Sequence, residues 1–309
     1  MLLTDLLLVA GSLVVLAIAA SQFINGASRL AAALGASPMF IGAVLVGAAT
    51  SLPDGLVSGF AAARGDGALA LGNVIGSNTF NTTLVLGAAA TITVVVVTRQ
   101  TLRREALLSG SAVALFLLIA AIGLNLATGI FLLLLAPLAL WLIRGNPPEK
   151  SVRPKDEEEV ISMPIEAIRA VAGLAFTVLS SRALVEGATG LATEIGISEA
   201  VIGLTLVAIG TSIPELAVSI QAARQKETDI LVGNVLGSNL MNSLLIGGLI
   251  GVLSPETVSL GSLAPAGILM LLVTAGATLF LATGRRLVRW EGWVLIGGYL
   301  VTTAIVSVI

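Results

Sequence analysis

The sequence predicts an all-α membrane protein of ten transmembrane helices, arranged as two inverted-topology repeats of five helices each. Three observations lead to this prediction. Of the 309 residues, 56% are hydrophobic and only 11% are charged, whereas soluble domains carry about 25% charged residues. Ten apolar runs approach the length of about 20 residues that a helix needs to cross a bilayer. A polar stretch inside these runs occurs twice, with each residue of the second copy 161 positions after its counterpart.

The apolar runs divide the chain into two halves of five predicted helices. The runs cover residues 3–24, 38–62, 69–91, 105–124, 127–143, 165–188, 199–222, 229–253, 262–283 and 290–308. A long polar stretch separates the fifth run from the sixth and is predicted to be a solvated linker. The predicted units are therefore a first repeat (1–144), a cytoplasmic linker (145–162) and a second repeat (163–309).

Basic residues predict the orientation of these helices. Five is an odd number, so the second repeat enters the membrane from the opposite face, which makes the repeats inverted. With the N-terminus outside, the cytoplasmic segments hold nearly all Lys and Arg residues, and the outer loops hold only Arg64. By the positive-inside rule, both termini are predicted to lie outside. Arg182 lies within a span and is expected to form a structural ion pair with Glu186, four residues later.

Composition excludes several classes of function. The chain has no cysteine and no histidine, which removes disulfides, thiolate metal sites and the usual proton shuttle. The basic residues are few and scattered near span ends, so nucleic-acid binding is not expected. No cofactor and no obligate protein partner are expected, and the predicted surroundings are the lipid bilayer.

The repeated stretch begins with hydroxyls, a proline and a carboxylate. The first copy is Thr50-Ser51-Leu52-Pro53-Asp54 and the second is Thr211-Ser212-Ile213-Pro214-Glu215. Each proline lacks an N–H and clashes with the carbonyl four residues earlier, so helices 2 and 7 are predicted to break there. Asp54 and Glu215 would then lie in the first turn of the following half-helix, where the dipole favours an anion.

A second polar motif follows in each copy. Asn73, Ser77 and Asn81 recur every four residues and should share one helix face, and Asn234, Ser238 and Asn242 repeat this pattern. The glycines within these motifs should allow close helix contact; they are Gly72, Gly76, Gly233 and Gly237. Nearly every candidate ligand is a hard oxygen, which suits Ca²⁺ or Na⁺ better than zinc, copper or iron.

At these residues the sequence resembles the sodium/calcium exchanger family, within the wider cation/Ca²⁺ antiporters. That family carries two inverted repeats, each with a Gly-Thr-Ser-x-Pro-Glu motif and a Gly-Asn-x-x-Gly-Ser-Asn motif. The resemblance implies a prokaryotic member in the plasma (inner) membrane that exchanges Na⁺ for Ca²⁺ by alternating access. It implies a transporter that is not an enzyme, and it implies electrogenic exchange.

The resemblance also implies a role for each matched residue. Asp54 and Glu215 would be the central ligands shared by Ca²⁺ and Na⁺. Thr50 and Thr211 would complete the Ca²⁺ site. The Na⁺ ions would be held by Ser77 and Ser238 together with the backbone carbonyls of Gly47 and Ala208, and Asn81 and Asn242 would close the middle of the site.

Three departures from the family pattern bear on selectivity. Ala49 replaces a glycine, and Asn242 stands where some members have aspartate. Asp54 replaces glutamate, which shortens one central ligand by a methylene. Because Ca²⁺–oxygen distances vary by only about 0.3 Å, this shortening requires a backbone shift, an intervening water or a different preferred ion.

Three other functions are compatible with two carboxylates inside a membrane. A Ca²⁺/H⁺ exchanger is the nearest, since protons also neutralise carboxylates. A passive cation channel would use the same oxygen ligands. An aspartyl protease dyad is disfavoured, because one of the two acids is Glu215, each acid follows a proline, and the oxygen-rich surroundings suit a cation.

Overall fold

The computed structural model describes residues 2–34, 36–143, 162–194 and 208–306. Within them the chain is almost entirely helical. The α-helices are α1 (Leu2–Leu34), α2 (Pro38–Ile41), α3 (Gly47–Thr50), α4 (Leu52–Ala63), α5 (Gly67–Phe80), α6 (Leu86–Ile92), α7 (Arg99–Thr101), α8 (Leu107–Ile122), α9 (Leu126–Ile143), α10 (Met163–Glu194), α11 (Ala208–Arg224), α12 (Thr228–Met241), α13 (Gly247–Leu253), α14 (Ala264–Ala282) and α15 (Arg289–Val306).

Shorter elements join these helices. Among the described residues, four π-helical turns continue the helix on either side of them, at Gly42–Val46, Asn81–Val85, Leu102–Ala106 and Asn242–Ile246, and a 3₁₀ turn precedes α14 at Gly261–Leu263. Strands β1 (Val95–Val96) and β2 (Arg286–Leu287) pair antiparallel. The predicted linker, apart from its last residue, and the beginning of the predicted seventh span lie outside the described residues.

The helices are those of a membrane protein. Among the described residues, six helical segments are long and apolar enough to cross a bilayer, and the bent pair Pro38–Thr50 and Leu52–Ala63 makes a seventh. Large apolar side chains such as Leu7, Leu134 and Ile168 stay at least 65% exposed, as expected for surfaces that face lipid. The number of ten spans and their sidedness stay predictions.

The two copies share helix boundaries. The continuous helical run 67–92 has its counterpart in 228–253, and each run contains a π-helical turn at the equivalent place. The first helices of the two copies, α1 and α10, pack side by side in opposite directions: Val9 lies against Gly187, while Gly26 lies against Ala170. Equivalent helices that run in opposite directions are what an inverted repeat requires.

The two prolines have different effects on their helices. Ser51 (φ −77°, ψ 0°) ends α3, and Pro53 lies in the first turn of α4, where a missing N–H costs little. The two segments bend by 46°, so the predicted break is present in the first copy. In the second copy α11 runs without interruption from Ala208 to Arg224, with Pro214 inside it.

The predicted break at Pro214 is therefore wrong for the described part of helix 7. A proline in a helix interior removes one hydrogen bond and bends the helix, but the flanking hydrogen bonds can keep the helix continuous. Glu215 accordingly lies in the middle of α11, and the prediction that it occupies the first turn of a half-helix is also wrong.

Glycines bring α12 against the start of the second span. A Cβ atom on Gly233 would lie 2.5 Å from the carbonyl oxygen of Met39, and one on Gly237 would overlap Ala43. The close contact predicted for these two glycines is confirmed. Among the described residues, no close neighbour is found for Gly72 or Gly76.

Candidate functional site

The buried centre of the molecule is polar. Asp54 and Glu215 are 0% and 1% exposed. The hydroxyl and amide side chains buried with them are Thr50, Ser51, Ser58, Asn73, Ser77, Asn78, Asn81, Thr82, Thr211, Ser212, Ser219, Asn234, Ser238, Asn239, Asn242 and Ser243. Buried polar groups are costly unless they are hydrogen-bonded, so the partners of each group decide what this centre can do.

Asp54 is held by both copies of the repeat. It lies in the first turn of α4, where the helix dipole favours its negative charge. Ser77 donates a hydrogen bond to Oδ1 at 2.9 Å, and Asn242 donates to Oδ2 at 3.3 Å. The Thr211 side chain also acts on this carboxylate. Both oxygens of Asp54 therefore have donors, one of which comes from the other copy.

Glu215 is held less completely. Ser51 donates to its Oε1 at 3.3 Å. The Thr50 hydroxyl donates to the carbonyl of Val46 at 3.0 Å and also acts on this carboxylate. Its Oε2 is buried and accepts no hydrogen bond from the described residues. The charge of Asp54 acts on Glu215, so the two acids share one buried environment.

Two asparagines brace the helices that carry the acids. Asn73 donates to the backbone carbonyl of Asp54 at 3.3 Å and to Ser58 at 3.0 Å. Its counterpart Asn234 donates to the carbonyl of Glu215 at 3.4 Å and to Ser219 at 2.9 Å. These bonds join α5 to α4 and α12 to α11.

Further pairs join the two copies directly. Asn78 donates to Ser243 at 3.0 Å, and Asn239 donates to Thr82 at 2.8 Å. The second pair is equivalent to the first, because Asn239 is the counterpart of Asn78 and Ser243 is the counterpart of Thr82. Sequence reasoning missed Thr82 and Ser243, which the constant offset of 161 would have flagged as a matched pair of hydroxyls in apolar runs.

The predicted Na⁺-binding serines differ in their partners. Ser77 contacts Asp54, whereas Ser238 donates to the carbonyl of Gly47 at 3.2 Å. A Cβ atom on Gly47 would lie 2.9 Å from the backbone nitrogen of Ser238, so only glycine allows this approach. Ala208 is the first residue of α11.

The predicted closing residues, Asn81 and Asn242, each begin a π-helical turn. Such turns are frequent at functional sites. Both side chains are fully buried. Within the described residues, neither polar atom of the Asn81 side chain has a hydrogen-bond partner, nor has Oδ1 of Asn242. These atoms and Glu215 Oε2 form a buried set of polar groups that a bound cation could complete.

A cavity leads toward these residues from one side. It has a volume of about 290 Å³ and is lined by residues of α4, α10 and α11, among them Pro53, Ser181, Arg182, Glu186, Thr211 and Pro214. Arg182 and Glu186 are exposed, and no ion pair within 4 Å joins them, among the ion pairs of the described residues. The predicted structural pairing of these two residues is therefore wrong.

The chemistry of the centre suits a hard cation. Its ligands are two carboxylates with hydroxyl, amide and carbonyl oxygens, which Ca²⁺ and Na⁺ accept and softer metals disfavour. In the part of the chain that the structure describes, no group of three or more His, Cys, Asp or Glu residues could hold a metal ion. The negative charge available to a cation here is therefore that of two acids.

The chain is similar to known proteins over nearly its whole length. The family model described as sodium/calcium exchanger protein matches residues 4–144 and 166–308. The putative antiporter CaxA of Alkalimonas amylolytica is 34% identical over 93% of this chain and 94% of its own length. The sodium/calcium exchanger MaX1 of Methanosarcina acetivorans is 29% identical over 93% and 94%. A solved structure of the sodium-calcium exchanger NCX_Mj is 27% identical over 98% of this chain and 99% of that one, with a TM-score of 0.86.

Proposed function

This chain belongs to the sodium/calcium exchanger family of secondary transporters, and we propose that it exchanges Na⁺ for Ca²⁺ by alternating access. Its membership makes it a cation/Ca²⁺ antiporter in a membrane and not an enzyme. The coupling ion, the charge moved per cycle, the orientation and the ligand of each ion are parts of the proposal.

The observation that supports this function best is that the two buried acids differ in how many of their carboxylate oxygens accept a hydrogen bond. Glu215 Oε2 has no donor among the described residues, and the amide oxygen of Asn242 nearby is also without one. A buried carboxylate without a partner is expensive, and a cation at this point would offset that cost. Two carboxylates balance the charge of one Ca²⁺.

The proposed ligand roles follow the geometry of the two copies. Asp54 and Glu215 bind Ca²⁺ and Na⁺ in turn, and Thr50 and Thr211, which act on their carboxylates, complete the Ca²⁺ site. Flanking Na⁺ ions are bound by the remaining predicted ligands, which are Ser77, Ser238 and the carbonyls of Gly47 and Ala208. Asn81 and Asn242 close the middle of the site.

Alternating access would use the unequal surroundings of α1 and α10. The α10 side borders the cavity that reaches Thr211. On the α1 side, Gln225 donates to Ser21 at 3.1 Å, and Ser28 donates to Glu227 at 2.9 Å. We propose that α1 and α10 slide across the other helices, which opens one path as the other closes.

Charge counting favours Na⁺ as the coupling ion. Three Na⁺ against one Ca²⁺ leave one uncompensated positive charge, so each cycle would move one charge, worth about 2.3 kcal/mol per 100 mV. Exchange of one Ca²⁺ for two protons would move none. The hydroxyls and carbonyls around the acids suit Na⁺ and have no role in proton transfer.

The test is Ca²⁺ uptake into proteoliposomes loaded with Na⁺ and diluted into Na⁺-free buffer, with the potential clamped by valinomycin. Uptake should need the outward Na⁺ gradient and should be faster when the inside is positive, because net positive charge leaves. Glu215→Gln proteoliposomes give the background. Flux that follows a pH gradient and ignores Na⁺ and voltage would establish proton exchange. Flux that follows the Ca²⁺ gradient alone would indicate a channel.

The proposed orientation can be tested separately, since the chain has no cysteine. Both termini outside places Glu256 at the outer face and Arg224 at the inner face, and both side chains are exposed. In right-side-out vesicles an impermeant thiol reagent should label Glu256→Cys and spare Arg224→Cys. The reverse labelling would invert the proposed orientation without affecting the exchange proposal.

A further inference from the structure

A further buried carboxylate lies outside the repeated site. Glu105 belongs to the π-helical turn Leu102–Ala106 and is 4% exposed. Its Oε2 has no hydrogen-bond partner in the described part of the chain. The residue 161 positions later is Ala266, so Glu105 has no counterpart in the second copy. The exchange mechanism proposed above does not use it.

A buried hydroxyl lies one helical turn further on. Ser109 is 0% exposed, and its Oγ has no partner among the described residues. Other hydroxyls buried on helices, such as those of Thr177 and Thr274, donate to the carbonyl four residues earlier. The Ser109 hydroxyl makes no such bond, so it is free to bind elsewhere. Residues four apart share a helix face, which places Ser109 on the side of Glu105.

A third oxygen ligand comes from the neighbouring helix. Asp229 lies in the first turn of α12, which packs against α8 and against the turn that contains Glu105. The charge of Asp229 acts on Glu105. Glu227 also acts on Asp229, but it already accepts a hydrogen bond from Ser28. The basic group that acts on Glu105 is Arg104.

The described ion pairs within 4 Å leave Glu105 without a basic partner. They join Glu166 to Arg29 and to Arg169. Two carboxylates that are partly or fully buried on adjacent elements without a bound counter-charge disfavour the folded state. A divalent cation would neutralise both carboxylates and would also use the free Ser109 hydroxyl.

We propose that Glu105, Ser109 and Asp229 form a second cation site that takes a hard divalent ion such as Ca²⁺ or Mn²⁺, with water completing its coordination. This site is separate from the exchange site. Asp229 precedes Ser238 by nine residues along α12, which corresponds to about 13 Å at 1.5 Å per residue. One ion cannot bind to both. The first turn of α12 carries the second site and a later turn, at Ser238, carries part of the first, so an ion bound here could act on the exchange site through α12.

The experiment measures Mn²⁺ binding to purified protein whose central site carries Glu215→Gln, by equilibrium titration and by the electron paramagnetic resonance spectrum of bound Mn²⁺. About one Mn²⁺ should remain bound per chain, and Ca²⁺ should displace it. Adding Glu105→Gln or Asp229→Asn should weaken this binding at least tenfold, and adding Ser109→Ala should weaken it by a smaller factor. Glu256→Gln, which removes an exposed charge elsewhere, should leave it unchanged.

Each other outcome of the Mn²⁺ titration overturns the proposal. Loss of all binding in Glu215→Gln alone would mean that the two carboxylates share a proton and bind no metal. The same test in Asp54→Asn guards against a folding defect that is particular to one parent. Mn²⁺ binding that survives Glu105→Gln and Asp229→Asn would place the ion elsewhere. Failure of Na⁺-driven Ca²⁺ uptake in the unmodified protein would reject the exchange proposal and leave this result standing.

Discussion

Asp54 and Glu215 occupy equivalent places in the two copies, yet their surroundings differ. Asp54 begins a helix and has a donor on each carboxylate oxygen, from Ser77 and Asn242. Glu215 lies within a continuous helix and has one oxygen without a donor in the described residues. The carboxylate of Asp54 is held in place by hydrogen bonds to both oxygens. Glu215 keeps one carboxylate oxygen that can still accept a bond.

This difference suggests that the two copies share one scaffold of hydrogen bonds but that their two acids have different roles. The asparagines that brace each helix, and the pairs that join the copies, repeat almost atom for atom. Within the polar centre, the asymmetry lies in the acids, the serines beside them and the course of the helix at each proline. We infer that the repeat builds this scaffold and that Glu215 supplies the oxygen with which an incoming cation first bonds. The following predictions test this difference between the two acids.

The largest effect is expected from neutralising either acid. Glu215→Gln and Asp54→Asn each leave one carboxylate for a divalent ion, and breaking a buried charge pair costs about 3–5 kcal/mol, or roughly a hundredfold or more in affinity. Ca²⁺ exchange should fall to background in both variants. Folding should persist, since a neutral amide is less costly to bury than a carboxylate.

The measurement is Na⁺-driven Ca²⁺ uptake in proteoliposomes, with size-exclusion profiles to verify folding. Glu256→Gln is the matched control, because it removes one acidic charge from an exposed position. Exchange at a near wild-type rate in Glu215→Gln would remove the basis for a central site at these residues.

The next largest effect is expected from the serines beside the acids, and it should differ between the two copies. Ser77 donates to a carboxylate, and a hydrogen bond to a charged group contributes about 1.5–3 kcal/mol, against about 1 kcal/mol for a neutral pair such as Ser238 with the Gly47 carbonyl. Ser77→Ala should therefore weaken Ca²⁺ binding roughly tenfold or more, and Ser238→Ala by about fivefold. Calorimetric titration of the two variants compares them. Equal losses would show that the asymmetry of the acids is unimportant for Ca²⁺.

The sequence alone predicted the positions of the helices and their repetition better than the contacts between side chains. Hydropathy and the constant offset locate the helices, because apolar length and repetition are properties of the chain itself. The role of a proline depends on where the surrounding helix begins, and Pro53 and Pro214 look alike in sequence but only the first lies in a first turn. Helix propensity alone could not distinguish these two prolines.

The contacts between the copies depend on tertiary structure. The polar faces of α5 and α12 follow from the spacing of four, but which hydroxyl each amide reaches does not. Asn78 finds Ser243 across the repeat boundary, 165 residues away. Likewise, spacing suggested that Arg182 and Glu186 pair with each other, whereas both line the cavity.

Exchanging the lengths of the acids gives a smaller effect. Asp54→Glu restores the family pattern but moves the carboxylate away from the positions that Ser77 and Asn242 now reach. Losing one or two hydrogen bonds of about 1 kcal/mol each should change the apparent Ca²⁺ affinity by about tenfold or less, with transport retained. Glu215→Asp is the matched variant and should cost more, because it withdraws the free oxygen. An unchanged affinity in Asp54→Glu would mean that backbone or water already compensates.

The smallest effect concerns the first helices of the two copies. Where α10 has Arg182 and Glu186, α1 has Ser21 and Asn25, so only α10 brings charge to its side of the site. Glu186 lines the cavity that reaches Thr211, where a carboxylate raises the local concentration of cations.

Glu186→Gln should therefore raise the KM for Ca²⁺ that enters from the cavity side by about two- to threefold at low salt, with kcat unchanged. The difference should vanish near 1 M ionic strength, where the Debye length falls to about 3 Å. Initial rates of Ca²⁺ uptake at several concentrations and two salt levels give the measurement. Glu194→Gln removes the same charge from the exposed end of α10 and should leave KM unchanged. A fall in kcat without a change in KM would instead assign Glu186 to the movement of α10, and a KM that ignores salt would exclude cation attraction as its role.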